Sequence, residues 1–400
     1  TRLLKELVQE GEIPMSRINE SVRRILRVKF LLGLFENPYP EGVDYSKFGS
    51  EEFIRASYRT ALESVTLLKN EDGRLPLDKN QTVLVTGPTA DSQIYLNGGW
   101  SRTWQGDDPQ YNTPGKKTIL DAIRDEAGSS NVNYVPGTTI DEAKDIDAAV
   151  EAAADSDVAV VCIGESTYTE TPGDIADLHL PKAQRDLVKR ISATGTPIVL
   201  VLVEGRPRVI NDIVPLADGI LMAYLPAEEG GRAIADILFG DANPSGKLPF
   251  TYPSDVNDIV AYDHNYTDET GPLGFNPQWV FGYGLSYTTF EYSDLEVSSK
   301  SFGPNDRLEI SVTVGNTGDR SGKETVQLYV SDLVASVTPP VRRLRGFEKI
   351  ALRPGQSRTV TFSVAPEDLA FVNSEHERVT EPGEFTIAIG GLEATVTYRE

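Results

Sequence analysis

Between residues 50 and 270, the pattern of hydrophobic and polar positions alternates between buried strands and amphipathic helices. Runs of consecutive apolar residues are typical of strands that are buried on both faces. Such runs occupy residues 82–86, 131–135, 158–163, 197–203 and 219–224. Segments with helical spacing precede and separate them, at residues 51–68, 118–127, 140–154, 181–191 and 229–239. The alternation predicts a mostly parallel sheet flanked by helices, in a domain over residues 51–270.

The pattern changes after residue 286, where short alternating runs are separated by turn sequences. The runs occupy residues 294–298, 307–314, 324–330, 346–352, 358–363, 384–390 and 394–398. Short strands at regular spacing without a helix predict an immunoglobulin-like or fibronectin-III-like sandwich over residues 291–400. Between the two domains, the aromatic residues of segment 271–290 predict a packed interdomain joint.

Residues 1–35 contain two segments with the spacing of amphipathic helices. Ile18, Val22 and Ile25, for example, recur on one helical face. Two helices of this length cannot bury their apolar faces alone, so we expect them to pack on a partner that this sequence does not contain. A proline-rich link over residues 36–50 leads out of this region.

Charge and cysteine content narrow the range of partners. The chain has 60 acidic and 38 basic side chains, a formal net charge of −22. Nucleic acid and anionic membrane surfaces would repel such a chain, and no apolar run reaches membrane-spanning length. A neutral ligand such as a sugar is compatible with this charge. The single cysteine, Cys162, excludes an internal disulfide framework and a thiolate zinc cluster.

One loop carries two carboxylates directly after a predicted buried strand. The strand 158–163 ends at a glycine, and the loop that follows contains Glu165, Tyr168 and Glu170. Ligands of open α/β sheets collect outside the carboxyl ends of the strands, so this carboxylate pair is a candidate site. The alternative is that both are solvated loop acids of a very acidic protein.

A second loop, residues 97–106, follows the first strand of the predicted parallel sheet and is rich in glycine and tryptophan. Aromatic faces stack on the apolar faces of sugar rings, so we interpret Trp104, in its polar surroundings, as a ligand contact. Trp100 is expected to be a core anchor, because large aromatic side chains are mostly buried. Arg102 lies between them and is a further candidate for substrate binding.

The sequence lacks the motifs of nucleotide-binding, serine-hydrolase and metal sites. The sequence after the strand at residues 82–86 is not GxGxxG, and neither a P-loop nor a GxSxG elbow occurs. The three histidines, His179, His264 and His376, are scattered and show no metal-ligand spacing. We therefore expect neither a cofactor nor a metal.

Seven stretches of the chain together resemble glycoside hydrolase family 3. They are residues 17–39, 64–70 (SVTLLKN), 98–106 (GGWSRTWQG), 164–170 (GESTYTE), 204–207 (EGRP), 240–249 (GDANPSGKLP) and 281–290 (FGYGLSYTTF). The resemblance covers essentially the whole chain. It implies an α/β sandwich followed by a fibronectin-III-like domain, with residues 1–35 as the last helices of a (β/α)8 barrel.

The resemblance also implies an activity. Members of this family are retaining, exo-acting β-glycosidases, chiefly β-glucosidases and exo-β-glucanases. Glu170 matches the position of the acid/base, and Trp104 matches a tryptophan that stacks on the sugar beyond the cleavage point. Tyr168 and Arg102 are then expected to bind substrate, and Glu165 to play a supporting role. The substrate would be a β-glucoside or a β-glucan oligosaccharide.

The aspartate-before-tryptophan motif of the family's nucleophile is absent from this sequence. We therefore expect a barrel outside this sequence to supply the nucleophile, with the cleft between the barrel and the α/β sandwich. The alternatives that stay open are a non-catalytic carbohydrate-binding or interaction module and a β-xylosidase or N-acetylglucosaminidase of similar architecture, the last of which fits least. A periplasmic or secreted location is the habit of the family.

Overall fold

The computed structural model describes residues 2–39, 42, 44–258, 260–266 and 274–399. Residues 40, 41 and 43 of the predicted link, and 271–273 of the predicted joint, lie outside them. The chain divides into two compact units, residues 1–54 and 55–400.

The first unit contains two helices, α1 (Arg2–Gln9) and α2 (Met15–Leu31). Neither helix has a buried residue, and the apolar side chains of Leu3, Ile25 and Phe30 are exposed. Exposed apolar stripes of this kind mark surfaces that pack on another element.

The second unit begins with an α/β body whose strands are β1 (Thr66–Asn70), β2 (Val83–Thr86), β3 (Val132–Val135), β4 (Val158–Gly164), β5 (Ile198–Val203) and β6 (Gly219–Met222). Its helices are α3 (Glu51–Ser64), whose first four residues are counted with the first unit, α4 (Gln93–Asn97), α5 (Ile119–Ala127), α6 (Ile146–Ala154), α7 (Lys182–Ser192) and α8 (Gly230–Leu238). The strands form one sheet in the order β1-β6-β5-β4-β2-β3. Every neighbouring pair is parallel except β1 and β6. This confirms the predicted α/β class.

Two predicted helices are wrong in extent. The helix predicted over residues 51–68 ends at Ser64, and Thr66–Asn70 form the antiparallel edge strand β1. Thr66 and Leu67 pair with Met222 and Leu221 of β6. The side chains of Thr66, Leu67 and Leu68 are all buried. The helix predicted over residues 140–154 begins only at Ile146.

The central strands are buried on both faces, and their side chains alternate between two cores. Val158, Val160 and Cys162 of β4 face the core that contains residues of α5 and α8. The intervening residues, such as Val161, face the core that contains residues of α6 and α7. This burial on both faces explains why the strands appear in the sequence as unbroken apolar runs.

The C-terminal body is a β-sandwich, as predicted. One sheet, in the order β11-β10-β15-β16-β8, contains β11 (Arg343–Leu352), β10 (Gly322–Asp332), β15 (Gly383–Ile389), β16 (Leu392–Tyr398) and β8 (Ser301–Phe302). The other, in the order β12-β9-β7, contains β12 (Ser357–Val364), β9 (Leu308–Asn316) and β7 (Phe290–Val297). A small hairpin adds β13 (Phe371–Val372) and β14 (Arg378–Val379).

Hydrogen bonds fix the α/β body to the segment that leads into the sandwich. The Asn243 carbonyl oxygen Oδ1 accepts from Ser286 Oγ and from the Tyr287 amide, both at 2.8 Å. Tyr287 Oη donates to the Ile237 carbonyl at 2.9 Å, at the end of α8.

In the described part of the chain, no helix is both long and apolar enough to cross a membrane.

Candidate active site

Loops from three neighbouring strands meet at the carboxyl edge of the sheet. Glu165 follows β4 directly, and Arg206 and Arg208 follow β5. The loop 97–106 lies between β2 and β3 and contacts the loop after β4 through Thr169. Parallel strands deliver their loops to one rim, and the structure confirms this expectation for these loops.

Glu165 is buried and both of its carboxylate oxygens are engaged. Its Oε1 lies 2.9 Å from Arg206 Nε and accepts a hydrogen bond from Arg208 Nη1 at 3.0 Å. Its Oε2 accepts from Tyr168 Oη at 3.2 Å. A carboxylate neutralised by two guanidinium groups is a structural anchor and a poor nucleophile. The supporting role expected for Glu165 toward a substrate stays a prediction.

Tyr168 is fixed through both its ring and its hydroxyl. The guanidinium carbon of Arg206 lies 4.1 Å from the ring centroid, within the range of a cation–π contact. Gly173 lies so close to the ring that an added Cβ would be 2.3 Å from it. Burial, followed by the charge of Glu165, raises the pKa of Tyr168. Tyr168 therefore connects the carboxylate anchor to the far side of its own loop.

The point where β4 becomes the loop is clamped by a buried glutamine. Gln184 Oε1 accepts from the Gly164 amide at 2.9 Å, and Gln184 Nε2 donates to the Gly164 carbonyl at the same distance. Gly164 has no room for a side chain, because a Cβ would lie 1.8 Å from the Val203 carbonyl oxygen. The loop thus leaves the sheet at a fixed position.

The two candidate loops are joined by hydrogen bonds between Gln105 and Thr169. Gln105 Oε1 accepts from the Thr169 amide at 3.0 Å, and Gln105 Nε2 donates to Thr169 Oγ1 at 2.8 Å. Thr169 Oγ1 donates in turn to the Trp104 carbonyl at 3.1 Å. Gly99 also abuts the loop after β4, since a Cβ there would be 2.4 Å from the Tyr168 carbonyl oxygen.

Glu170 follows this junction, and its side chain is exposed. Among the described residues, its carboxylate has no hydrogen-bond or ion-pair partner. Its backbone has φ +52° and ψ −141°, a conformation that costs a non-glycine residue on the order of 1–3 kcal/mol. Such outliers occur preferentially at functional sites, where the surrounding structure enforces them. Glu170 is therefore a free carboxylate held in an enforced conformation.

Both tryptophans of the first loop are exposed, and the prediction for Trp100 is wrong. Trp104 is 52 % exposed and Trp100 is 70 % exposed. Trp100 has φ +59° within a turn closed by its own amide, which donates to the Trp104 carbonyl at 3.0 Å. This left-handed turn leaves the indole in solvent. The buried tryptophan is Trp279, whose ring packs edge-on against Tyr252 at 5.1 Å.

Arg102 is already paired within the described structure. Its guanidinium forms an ion pair with Glu228 and donates to Thr113 Oγ1 at 2.8 Å. Burial raises the pKa of Glu228, but hydrogen bonds from Thr113 and Arg102 outweigh it, so the net pKa is lowered. Arg102 therefore fixes the loop, and its role toward a substrate stays a prediction.

A second buried carboxyl group lies behind Glu165. Glu204 is fully buried, and its Oε1 lies 2.9 Å from Tyr252 Oη and 3.2 Å from the Arg208 amide. Its Oε2 has no hydrogen-bond partner in the described structure. Burial raises the pKa of Glu204 to about 8. Burial therefore favours the protonated, neutral form of Glu204.

A cluster of three carboxylates lies outside the candidate loops, and a lysine binds two of them. Within the described chain, carboxylate oxygens of Glu126, Asp236 and Asp241 approach one another closely. Lys79 Nζ donates to Glu126 Oε2 at 2.6 Å and to Asp241 Oδ2 at 2.7 Å. Lys79 therefore neutralises two of these three carboxylates.

Sequence reasoning missed the residues that hold the loops in place. Arg206 and Arg208 had a usable signal, since they follow an apolar strand two residues apart and flank a proline. Gln105 stands in the stretch 98–106 that carries the resemblance, but its hydrogen-bond partner could not be predicted from it. Gln184 had no signal, because a glutamine in a helix can bind either backbone groups or solvent.

The chain matches two family models. The glycosyl hydrolase family 3 C-terminal domain matches residues 65–287, and the fibronectin type III-like domain matches residues 324–392. The first of these covers all six strands of the α/β body and both candidate loops.

Similar proteins are glycosidases that are longer than this chain. A lysosomal beta glucosidase of Dictyostelium discoideum is 43 % identical over 97 % of this chain and 50 % of its own length. A beta-xylosidase of Formosa agariphila is 35 % identical over 98 % of this chain and 56 % of its own. The crystal structure of a beta-glucosidase from Listeria innocua in complex with glucose has a TM-score of 0.88 at 32 % identity, covering 99 % of this chain and 56 % of that one.

The chain therefore spans about half the length of the curated relatives that it matches. The family model extends over more than half of this chain, and the solved structure shares its fold throughout. On these grounds the chain belongs to glycosyl hydrolase family 3.

Proposed function

We propose that this chain supplies the acid/base half of a retaining, exo-acting β-glycoside hydrolase. The observation that carries the proposal is Glu170, an exposed carboxylate without a partner in the described structure, on a loop joined to that of Trp104. Glu170 would protonate the leaving glycosidic oxygen and then remove a proton from the attacking water.

The nucleophile must come from another carboxylate. Retaining hydrolysis needs two carboxyl groups about 5 Å apart, one as nucleophile and one as acid and then base. Glu165 cannot take the first role, because Arg206, Arg208 and Tyr168 occupy both of its oxygens. We infer that an aspartate of a (β/α)8 barrel supplies the nucleophile. The exposed apolar faces of α1 and α2 are consistent with packing on such a barrel.

The sugar class follows from the same surface. Trp104 offers an exposed indole beside the acid/base loop, which suits the apolar face of a pyranose. Relatives of this chain are named both as β-glucosidases and as a beta-xylosidase. We propose a β-glucoside as substrate, with a β-xyloside as the alternative that the experiment separates.

The experiment restores a complete enzyme and removes Glu170. The chain is fused or mixed with a family 3 barrel domain. Hydrolysis is measured for aryl β-glucosides and β-xylosides with a poor leaving group, such as phenol, and with an activated one, such as 4-nitrophenol. Glu170→Ala should lower kcat on poor leaving groups by about 10²–10⁴-fold. Azide should partly restore turnover of activated aryl glycosides and yield the β-glycosyl azide, because the covalent intermediate still forms.

The matched control is Asp174→Asn, which changes another exposed acid of the same loop. This variant should hydrolyse both substrates at the wild-type rate. Unchanged turnover in Glu170→Ala would remove Glu170 from the role of acid/base. Sugar binding without hydrolysis in every barrel complex would instead favour a non-catalytic carbohydrate-binding module.

A further inference from the structure

The β-sandwich contains a cavity that the proposed catalytic loops do not use. It has a volume of about 290 Å³, near the lower end of the range for ligand pockets. It lies where β10 ends and β11 begins, beside the β13–β14 hairpin. Val330, Leu369 and Phe371 give it apolar walls.

Three arginines line this cavity, namely Arg343, Arg345 and Arg378. Arg343 is neutralised by Asp263, with Nε–Oδ1 and Nη2–Oδ2 distances of 2.8 Å each. Arg378 donates only to the Glu367 carbonyl, at 3.3 Å. Within the described ranges, no carboxylate lies within 4.0 Å of Arg345 or Arg378. Two positive charges thus remain without a counter-ion in a protein of net charge −22.

Arg345 is the arginine of this cavity whose lack of a partner is most evident. Its Nε is buried and has no hydrogen-bond partner in the described structure. Burial, and next the charge of Arg343, lowers the pKa of Arg345 despite opposing effects from Tyr262 and Asp368. A partly buried guanidinium without a counter-ion is costly, and an anion in the cavity would supply the opposite charge.

We propose that this cavity binds a small carboxylic acid of the size of one sugar-acid ring, such as a hexuronate, through Arg345 and Arg378. The guanidinium group is planar and matches a carboxylate with two parallel hydrogen bonds. The volume of the cavity admits a single ring, and Phe371 gives that ring an apolar surface.

Asp332 limits how many negative charges a ligand of this cavity can carry. It also lines the cavity, and burial raises its pKa although the Val334 amide donates to its Oδ1 at 3.2 Å. Its oxygens can bind ligand hydroxyl groups. The same carboxyl group would repel a ligand with several negative charges, so a singly charged acid is favoured over phosphate.

The test is calorimetric titration of the full chain with D-glucuronate, with D-glucose as the matched neutral sugar and inorganic phosphate as the competing anion. Glucuronate should bind and glucose should not, because the two differ at the carboxylate. Arg345→Gln should weaken glucuronate binding by about 10- to 100-fold. The control is Arg358→Gln, which removes an exposed arginine of β12 that pairs with Glu348 and should leave binding unchanged.

Thermal unfolding without ligand separates a binding role from a structural one. Arg345→Gln should raise Tm, because it removes an unpaired, partly buried charge. A lowered Tm together with unchanged glucuronate binding would make Arg345 a structural residue and overturn the proposal. The proposal would also be overturned if the wild-type chain did not bind glucuronate, or if it bound glucose or phosphate as tightly as glucuronate.

Discussion

The side-chain amide of Gln105 hydrogen-bonds both the backbone and the hydroxyl of Thr169, with distances of 3.0 and 2.8 Å. Thr169 is buried, and it connects the Trp104 carbonyl on one loop to Glu170 on the other. The proposed sugar contact and the proposed acid/base therefore depend on one polar junction. Neither loop has to find its position independently.

The first prediction concerns this junction. Gln105→Ala removes hydrogen bonds that each contribute about 1 kcal/mol, and it frees the loop that carries Glu170. In the barrel-completed enzyme, we expect kcat to fall about tenfold or more on substrates with poor leaving groups. Activated aryl glycosides should be affected less, because they need little protonation. The measurement is kcat across a series of aryl glycosides with different leaving groups.

Two variants control for general damage. Thr169→Ser keeps the hydroxyl group and should retain most of the activity. Gln110→Ala changes an exposed glutamine that bonds only Asp108 and should behave as wild type. An equal loss by Gln105→Ala on all leaving groups would indicate a structural role and contradict the prediction.

The sheet and the position of the site could be predicted because both depend on local pattern. The unbroken apolar runs of β4 and β5 record burial on two faces, which the structure confirms. Glu165 and Glu170 were placed at a strand end by topology alone, since parallel strands share one carboxyl edge. The resemblance assigns the acid/base role to Glu170 and a supporting role to Glu165. In the described structure Glu165 is ion-paired and Glu170 is exposed without a partner, and both roles stay predictions.

The remaining features depend on tertiary context that no short segment contains. Residues 66–70 carry apolar side chains that suit a helix or a strand, and pairing with β6 decides the outcome. Trp100 is exposed because its backbone turns at φ +59°, which its sequence neighbours do not specify. The bond between Gln105 and Thr169 joins residues 64 positions apart, beyond the reach of periodicity.

The second prediction concerns the buried anchor. Glu165→Gln leaves Arg206 and Arg208 without their counter-charge, and breaking one partner of a buried ion pair typically costs about 3–5 kcal/mol. We expect a lower free energy of unfolding of this order in urea denaturation. Arg208→Met in the same background should restore part of the loss, because it removes one of the orphaned charges. Stability equal to wild type in Glu165→Gln would show that the ion pairs contribute nothing.

The third prediction concerns pH. Glu204 has a pKa of about 8 in the folded chain against 4.5 for an ordinary glutamate. Between these values the folded state holds a proton that the unfolded state has released, so stability falls as pH rises from about 4.5 to 8. The expected slope from this group is about 1.4 kcal/mol per pH unit.

Glu204→Gln imitates the protonated side chain and removes this dependence. The difference in free energy of unfolding, variant minus wild type, should therefore increase from pH 5 to pH 8. Arg208, Tyr252 and Glu165 surround the site and are unchanged in the variant, so they contribute to both proteins. The measurement is urea denaturation at several pH values. A difference that stays constant with pH would mean that Glu204 is ionised in the folded chain.

The last prediction concerns the packing of Tyr168. Gly173 is buried, and a Cβ there would lie 2.3 Å from the Tyr168 ring, although the glycine does not have a positive φ. Gly173→Ala should therefore displace the ring and cost about 1–3 kcal/mol by overpacking. The matched control is Gly303→Ala, where the nearest atom to the added Cβ is 3.5 Å away. Because Tyr168 also binds Glu165, the displaced ring should disturb the acid/base loop and lower kcat of the barrel-completed enzyme. Stability is measured by urea denaturation, and equal urea midpoints for Gly173→Ala and Gly303→Ala would contradict this account.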